Sequence, residues 1–163
     1  MAQAVPDGYV PLPVGQDFNA VIGPLYGASF PEGIRLGVRL MYRHLNALGT
    51  AHGGVIAAIA DLTGLLMQQM SGYTGRMTPT ISLNVQYLAP SAVGEWMDLR
   101  PTLVRATRTM LFSESGIYAD DRLVARSNAI FRIGATTTVP FATLGHFFAD
   151  TFPGSVPEPL DPL

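Results

Sequence analysis

The sequence predicts one α+β domain in which an antiparallel sheet surrounds a buried helix. Its 163 residues are enough for one ordinary domain, and 48% of them are apolar. Residues 53–70 are apolar on nearly every side at helical spacing, which indicates a buried helix about 27 Å long. Segments that alternate apolar and polar residues lie on both sides of that helix and indicate half-buried strands.

The region before the helix predicts an arm, a short helix and a strand. Asp17 is expected to cap a helix that runs through Leu25 or Tyr26, although Pro24 opposes its last turn. The residues before Asp17 are rich in Pro and Gly and predict a loose arm. Residues 34–43 alternate cleanly and predict a strand with one buried face.

Four strand candidates follow the helix. The first covers residues 80–88 and is ended by Pro90. The other three cover residues 96–106, 109–118 and 123–133. Pro101 predicts a bulge or an edge in the second candidate, and residues 119–122 predict a hairpin turn. The tail from Val139 predicts a short amphipathic helix.

The composition excludes several classes of function. Only 13% of the residues are charged, against about 25% in an average domain, so we expect some surface to be buried against other copies. The net charge is -2 and no basic block is present, so no nucleic-acid partner is expected. The chain has no cysteine, which excludes disulfides, thiolate catalysis and cysteine metal sites.

We expect a cytoplasmic protein without a membrane partner. The N-terminus lacks the basic start and apolar segment of a signal peptide. The most apolar stretch, residues 53–70, carries Asp61, and a charge in the centre of a membrane span costs several kcal/mol. A buried helix of a water-soluble domain explains this stretch better.

Asp61 is the most informative residue for predicting the function. It lies in the middle of a helix that is expected to be buried, and its neighbours three and four positions away are small or apolar. A buried carboxylate without a partner in its own helix must find one elsewhere. Two interpretations are open: an ion pair with an Arg of the sheet, or a base or nucleophile held in an apolar cleft.

The start of the same helix has the composition of an oxyanion site. Gly53 and Gly54 follow His52, and the N–H groups of a first helical turn are unpaired and partly positive. Glycine allows a ligand to approach them closely, although two glycines also suit a plain strand-to-helix turn. Asn46 could orient a carbonyl or a water, or it could cap a turn.

The spacing of these residues resembles that of a known family. It is the spacing of hotdog-fold acyl-CoA thioesterases of the phenylacetate-pathway (PaaI-like) type, and here it reads Asn46-x2-Gly49-x2-His52-Gly53-Gly54-x6-Asp61. The resemblance continues through residues 80–90, which end in Tyr-x-x-Pro, and through Gly94-Glu95. It divides the chain into an N-terminal arm with a short helix (1–33), a hotdog thioesterase domain (34–134) and a tail packed on the domain (135–163).

The resemblance implies a long central helix wrapped by an antiparallel sheet of five to six strands. Subunits of this family pair edge to edge as a dimer or a dimer of dimers (a homotetramer), and the active site lies between subunits. The implied substrate is an acyl-CoA with an aromatic or medium-chain acyl group, which is hydrolysed to free acid and CoA. No cofactor is implied, because coenzyme A is part of the substrate.

The resemblance also implies roles for individual residues. The N–H of Gly53 would polarise the thioester carbonyl, and Asn46 and His52 would place the thioester. Asp61, contributed by the partner subunit, would act as general base or nucleophile. Thr80, which stands where relatives often have Ser, would help to hold the water.

Further residues are candidates for binding the substrate. Ser82 lies on the same strand face as Thr80 and is its rival, and Gly54 lies beside the oxyanion donor. The CoA phosphates favour arginine, and the candidates are Arg105, Arg108 and Arg126, each of which could equally lie on a solvated strand face.

Two other functions remain open from the sequence. One is another hotdog thioester reaction, such as enoyl hydration or dehydration. The other is a non-catalytic module that binds acyl-CoA or an aromatic acid. Such a module would have no use for Asp61, so the residue favours hydrolysis.

Overall fold

The computed structural model describes residues 4–13, 17–73, 75–138 and 151–152. Within them lie seven strands and three helices. In chain order these are β1 (Val10–Pro11), α1 (Phe18–Ile22), β2 (Leu25–Phe30), β3 (Gly33–Arg39), α2 (Gly53–Asp61), α3 (Thr63–Ser71), β4 (Thr80–Tyr87), β5 (Trp96–Ala106), β6 (Met110–Ala119) and β7 (Arg122–Arg132). A single 3-10 turn covers Tyr42–His44.

The seven described strands form one antiparallel sheet in the order β1-β2-β3-β5-β6-β7-β4. Helices α2 and α3 pack against one face of this sheet, and their Ile59 and Leu66 are completely buried in the core. The α+β class and the hotdog fold are therefore confirmed. The sheet has seven strands instead of five or six, because β1 and β2 extend it at the N-terminal side.

The N-terminal region contains more sheet than the sequence predicted. Asp17 caps α1 as expected, and its carboxylate accepts the Asn19 N–H at 2.9 Å. The helix ends at Ile22, however, so the prediction that it continues through Leu25 or Tyr26 is wrong. Pro24 has no N–H to donate to the next turn, and the residues after it form β2, which pairs with β3 along its whole length.

The expected loose arm is also wrong for residues 4–13. Strand β1 pairs with β2, and Tyr9 packs edge-on against the ring of Trp96. The Tyr9 hydroxyl donates to Asp98, a buried carboxylate that also accepts from Arg100 at 2.6 Å. Burial, followed by the negative charge of Asp98, raises the pKa of Tyr9. These contacts hold the N-terminal segment on the sheet.

Two boundaries around the central helix differ from the predicted ones. Strand β3 ends at Arg39 instead of residue 43, because the following residues turn into the 3-10 helix. The single helix expected over residues 53–70 is interrupted at Leu62, which keeps right-handed helical angles between α2 and α3. Helix α3 then ends at Gly72, which adopts the left-handed conformation at φ 73°. No helix in the described ranges combines the length and apolarity needed to cross a membrane.

The strands after the helices agree with the predicted ones to within one residue at each end. Pro101 lies beyond Leu99, the last β5 residue paired with β3, and β5 carries an irregularity between Leu103 and Arg105. The predicted hairpin turn is confirmed by the positive φ angles of Asp120 (44°) and Asp121 (64°), which are typical of a tight two-residue turn. The helix predicted in the tail lies outside the described residues, apart from residues 151–152.

Candidate active site

The first turn of α2 presents one open N–H group. His52 caps the helix, and its Nδ1 accepts the Gly54 N–H at 2.9 Å. The Gly54 N–H is therefore occupied, whereas that of Gly53 makes no hydrogen bond to any residue in the described part of the chain. Because Nδ1 of His52 is an acceptor, a neutral imidazole carries its proton on the exposed Nε2.

A cavity of about 380 Å³ adjoins this turn. Its lining is mainly apolar and comes from Ala51, Gly53, Ile56, Tyr87, Leu88, Ala89 and Pro90. Tyr87 also donates its hydroxyl to the Gly53 carbonyl at 3.0 Å. An apolar cavity with one N–H donor at its wall fits a ligand that carries a carbonyl group. In the sequence Tyr87 is recognisable only as part of the Tyr-x-x-Pro motif, and nothing there predicts this contact.

Asp61 and Thr80 are brought together. The Thr80 hydroxyl donates to Oδ1 of Asp61 at 2.6 Å, whereas no such bond comes from Ser82 within the described residues. Asp61 is exposed, so the expectation of a buried carboxylate is wrong for the single chain. It lies at the end of α2 and over β4, which pairs only with β7 among the described strands and forms an edge of that sheet. In the described ranges Asp61 forms no ion pair, which contradicts the alternative of a structural Arg partner.

Asn46 is engaged within its own loop. Its Oδ1 accepts the N–H groups of Leu48 at 2.8 Å and Thr50 at 3.3 Å, and its Nδ2 donates to the Thr50 hydroxyl at 2.9 Å. The side chain therefore caps a turn, as one of the two interpretations held. One amide hydrogen of Nδ2 is left over, so a role in placing the thioester stays a prediction.

His44 connects the preceding turn to the helix cap. The buried imidazole accepts the Met41 N–H through Nδ1 at 3.0 Å, and the His44 carbonyl accepts the His52 N–H at 2.8 Å. Burial, followed by the nearby positive charge of Arg43, lowers the pKa of His44. The sequence offered no signal for this residue, because both of its contacts depend on the path of the loop.

The three candidate arginines are exposed and do not form one cluster. Arg126 lines a polar cavity of about 410 Å³ together with Gln86, Glu114 and Asn128. It lies opposite Gly116 of β6, whereas Arg105 lies opposite Phe112. Four residues of strand separate these positions by about 13 Å. Arg108 lies in the turn that follows β5.

The two halves of the chemistry lie at opposite ends of α2. The open N–H of Gly53 can stabilise a negative oxygen, and the Asp61 carboxylate can accept a proton or attack a carbonyl carbon. Gly53 is the first residue of α2 and Asp61 is the last, so about 12 Å of helix separates them. One chain therefore does not present both groups to the same atom.

Comparison with known proteins identifies similar chains. The family model described as thioesterase superfamily matches residues 48–126. A curated protein of Pseudomonas aeruginosa with the provisional name of esterase is 24% identical over 130 residues, which are 79% of this chain and 97% of that protein. Human acyl-coenzyme A thioesterase 13 is 22% identical over 137 residues, which are 82% of this chain and 97% of that protein.

Solved structures share the same fold. A variant of the phenylacetic acid degradation protein PaaI from Thermus thermophilus has a TM-score of 0.61 at 23% identity, with coverage of 71% of this chain and 97% of that one. A Streptococcus mutans protein bound to acetyl CoA has a TM-score of 0.59 at 23% identity, with coverage of 69% of this chain and 90% of that one. The resemblance that the motif indicated is thus confirmed.

Proposed function

From its hotdog fold and its match to the thioesterase superfamily over residues 48–126, we propose that this protein is an acyl-CoA thioesterase. The comparisons support that class of enzyme, since human acyl-coenzyme A thioesterase 13 aligns with most of the chain and the Streptococcus mutans structure holds acetyl CoA. The main observation in its favour is the open N–H of Gly53, which lies beside an apolar cavity. The same helix, α2, also carries Asp61, which is hydrogen-bonded to Thr80 of strand β4.

The proposed reaction is hydrolysis of the thioester bond. The substrate carbonyl oxygen accepts the Gly53 N–H, which stabilises the negative charge that develops during attack. Thr80 occupies Oδ1 of Asp61, so Oδ2 is left to take a proton from water. The hydroxide formed from this water adds to the carbonyl carbon of the thioester. The C–S bond then breaks, and the CoA sulfur leaves and takes up a proton. In the alternative route, the carboxylate attacks first and water hydrolyses the resulting anhydride.

We propose that each active site is shared between two copies. The 12 Å between the ends of α2 supports this arrangement, because reacting groups must come within about 3–3.5 Å of one another. Among the described strands β4 is an edge of the sheet, and Ile81 and Tyr87 of β4 and the following Leu88 are exposed. Pairing of two such edges around a two-fold axis would place Gly53 of one copy next to the partner subunit's Asp61. A dimer or a dimer of dimers is the expected assembly.

We also propose the type of acyl group and the residues that contact the substrate. The acyl group is aromatic or of medium chain length, and the apolar lining of the 380 Å³ cavity supports either. Arg105, Arg108 and Arg126 are the proposed phosphate contacts, and Asn46 and His52 are proposed to place the thioester. We expect the enzyme to act in the cytoplasm, in line with the absence of cysteine from the chain.

A thiol-release assay tests the proposed function. Purified protein is given aromatic and straight-chain acyl-CoA thioesters, with Asp61→Asn beside the wild type. The substitution keeps the shape of the side chain but removes the base, so we expect turnover to fall by about 10²–10⁴-fold. Asp121→Asn, at an exposed carboxylate in the β6–β7 turn, is the matched control and should leave turnover unchanged.

Two outcomes would contradict this proposal. Wild-type protein that is folded and releases no thiol from any thioester would favour a binding module instead. An Asp61→Asn protein that keeps more than about a tenth of the turnover would show that the carboxylate is not the base or nucleophile.

A further inference from the structure

Tyr87 contacts the helix turn that carries the open N–H group. It is the last residue of β4, and its hydroxyl donates to the Gly53 carbonyl at 3.0 Å. A Cβ built on Gly53 would lie 3.4 Å from the Tyr87 ring, so a methyl group at this position would make ordinary van der Waals contact with the ring. The ring is half exposed and lines the cavity next to Gly53. The contact therefore joins the sheet edge to the first turn of α2.

The peptide group between Gly53 and Gly54 is held on both of its sides. Tyr87 binds its carbonyl oxygen, and Nδ1 of His52 binds its N–H at 2.9 Å. Glycine has more backbone freedom than any other residue, and the ends of helices fray most readily. Two adjacent glycines at the start of a helix would therefore be mobile without such clamps. One of these two hydrogen bonds comes from the cap residue His52, and the other comes from Tyr87 of strand β4.

This restraint bears directly on the catalytic donor. An N–H group stabilises an oxyanion strongly only when it is already aimed at the position the oxygen will take. The open N–H of Gly53 belongs to the peptide group that directly precedes the clamped one. Fixing the Gly53–Gly54 peptide restricts the dihedral angles of Gly53 on its C-terminal side. The direction of the Gly53 N–H is thereby restricted as well.

We propose that Tyr87 is a positioning residue for thioester hydrolysis. Its hydroxyl, bound to the Gly53 carbonyl, fixes the first turn of α2 and so aims the Gly53 N–H at the substrate carbonyl. The inference rests on the proposed thioesterase function, and it adds a residue that acts through Gly53. The Tyr87 hydroxyl itself does not take part in any bond change.

The first test is Tyr87→Phe, which removes only the hydroxyl. Loss of a whole oxyanion donor costs about 10²–10³-fold in kcat, so a misaimed donor should cost roughly 5- to 50-fold. The KM should change less than about twofold, because the binding surface of the ring remains. Tyr26→Phe is the matched control: it deletes a tyrosine hydroxyl on β2, at the side of the described sheet opposite β4, and kcat should stay the same.

A spectroscopic test separates positioning from a merely structural effect. A thioester with a ¹³C-labelled carbonyl is bound to Asp61→Asn protein, in which turnover is slow, and its infrared C=O band is recorded. The hydrogen bond from Gly53 should lower the frequency of that band relative to free substrate. Adding Tyr87→Phe to the same protein should move the band back toward the free value, while Tyr26→Phe should not.

Each remaining outcome contradicts the inference. An unchanged kcat in Tyr87→Phe, with or without a lower thermal midpoint, would show that the hydroxyl is only structural. A raised KM at constant kcat would show direct contact with the substrate. A lower kcat with an unmoved carbonyl band would exclude an effect through Gly53. Failure of the proposed function itself is distinguishable, because wild-type protein would then release no thiol before any change at Tyr87.

Discussion

At the scale of single residues, the hydrogen bond from Thr80 to Asp61 is the feature that organises the carboxylate. It fixes Oδ1 at 2.6 Å from the Thr80 hydroxyl and leaves Oδ2 as the atom that takes the proton in the proposed reaction. A hydrogen bond to a charged group contributes about 1.5–3 kcal/mol. Loss of this hydrogen bond should therefore lower the rate of thioester hydrolysis, because a free carboxylate can rotate away from the water.

The corresponding prediction concerns Thr80→Val, which replaces the hydroxyl by a methyl group of similar size. We expect kcat/KM for thiol release to fall by roughly 10- to 150-fold, the equivalent of that hydrogen bond. Thr80→Ser should retain most of the rate. Ser82→Ala, two residues further along β4 and also exposed, tests the rival candidate in parallel. A larger loss in Ser82→Ala than in Thr80→Val would give the water-holding role to the rival residue.

The spacing of the motif led to most of the site residues, but not to all of them. Asp61 and Gly53 stand out because a carboxylate in an apolar helix and a glycine pair are unusual in their local surroundings, whereas Thr80 is a candidate only through the family resemblance. Tyr87 and His44 look ordinary in sequence. Their importance comes from partners that the fold brings close from distant positions, such as the 34 residues between Tyr87 and Gly53.

At the scale of elements, the short turn before α2 supports the helix cap. The His44 ring accepts a hydrogen bond from the Met41 N–H, and the His44 carbonyl accepts one from the His52 N–H. The turn needs a neutral imidazole, because a protonated ring has no free nitrogen to accept the Met41 N–H. Protonation of His44 should therefore weaken the turn and the cap together.

A pH prediction follows from the lowered pKa of His44. The unfolded chain protonates this residue near its ordinary value of about 6.5, whereas the folded chain resists protonation because the ring is buried. The stability that neutral His44 contributes is therefore present above pH 6.5 and is lost as the pH falls below it. Thermal midpoints of wild type and His44→Gln, taken from pH 7.5 to 5, should fall more steeply for the wild type. Parallel curves would contradict this account.

The positions of β4 to β7 were predicted to within one residue, and β6 shows the period of two most clearly, since every second residue from Leu111 to Ala119 is buried. Strand β2 was not predicted, because Gly27, Ala28 and Ser29 differ little in polarity between the two strand faces. The helix cap at Asp17 also favoured a helix longer than the observed one. The interruption at Leu62 was equally unpredictable, because its backbone angles stay helical and only the hydrogen bonding changes.

At the scale of the whole molecule, the single chain is an incomplete enzyme in this account. Its low content of charged residues, 13%, predicted a covered surface, and β4 provides a strand edge next to Asp61 that no other described strand covers. The sequence indicated that copies associate, and α2 has the predicted helical path between Gly53 and Asp61, so these residues lie about 12 Å apart. That separation makes the assembly a requirement of the mechanism.

The measurement that tests this central claim most directly mixes two inactive proteins. Gly53→Pro deletes the N–H donor and keeps the helix, because proline suits the first helical position and His52, at φ −66° and ψ 133°, already has the conformation favoured before proline. Asp61→Asn deletes the base. Gly53→Ala, which keeps the N–H, should stay active and serves as the control for the side chain.

After subunit exchange, half of the dimers contain one copy of each protein, and each of these has one intact site. We expect thiol release to recover to about a quarter of the wild-type rate. Both proteins should be inactive alone, and exchange should be verified with distinguishable tags. No recovery in a mixture with proven exchange would contradict a site shared between subunits.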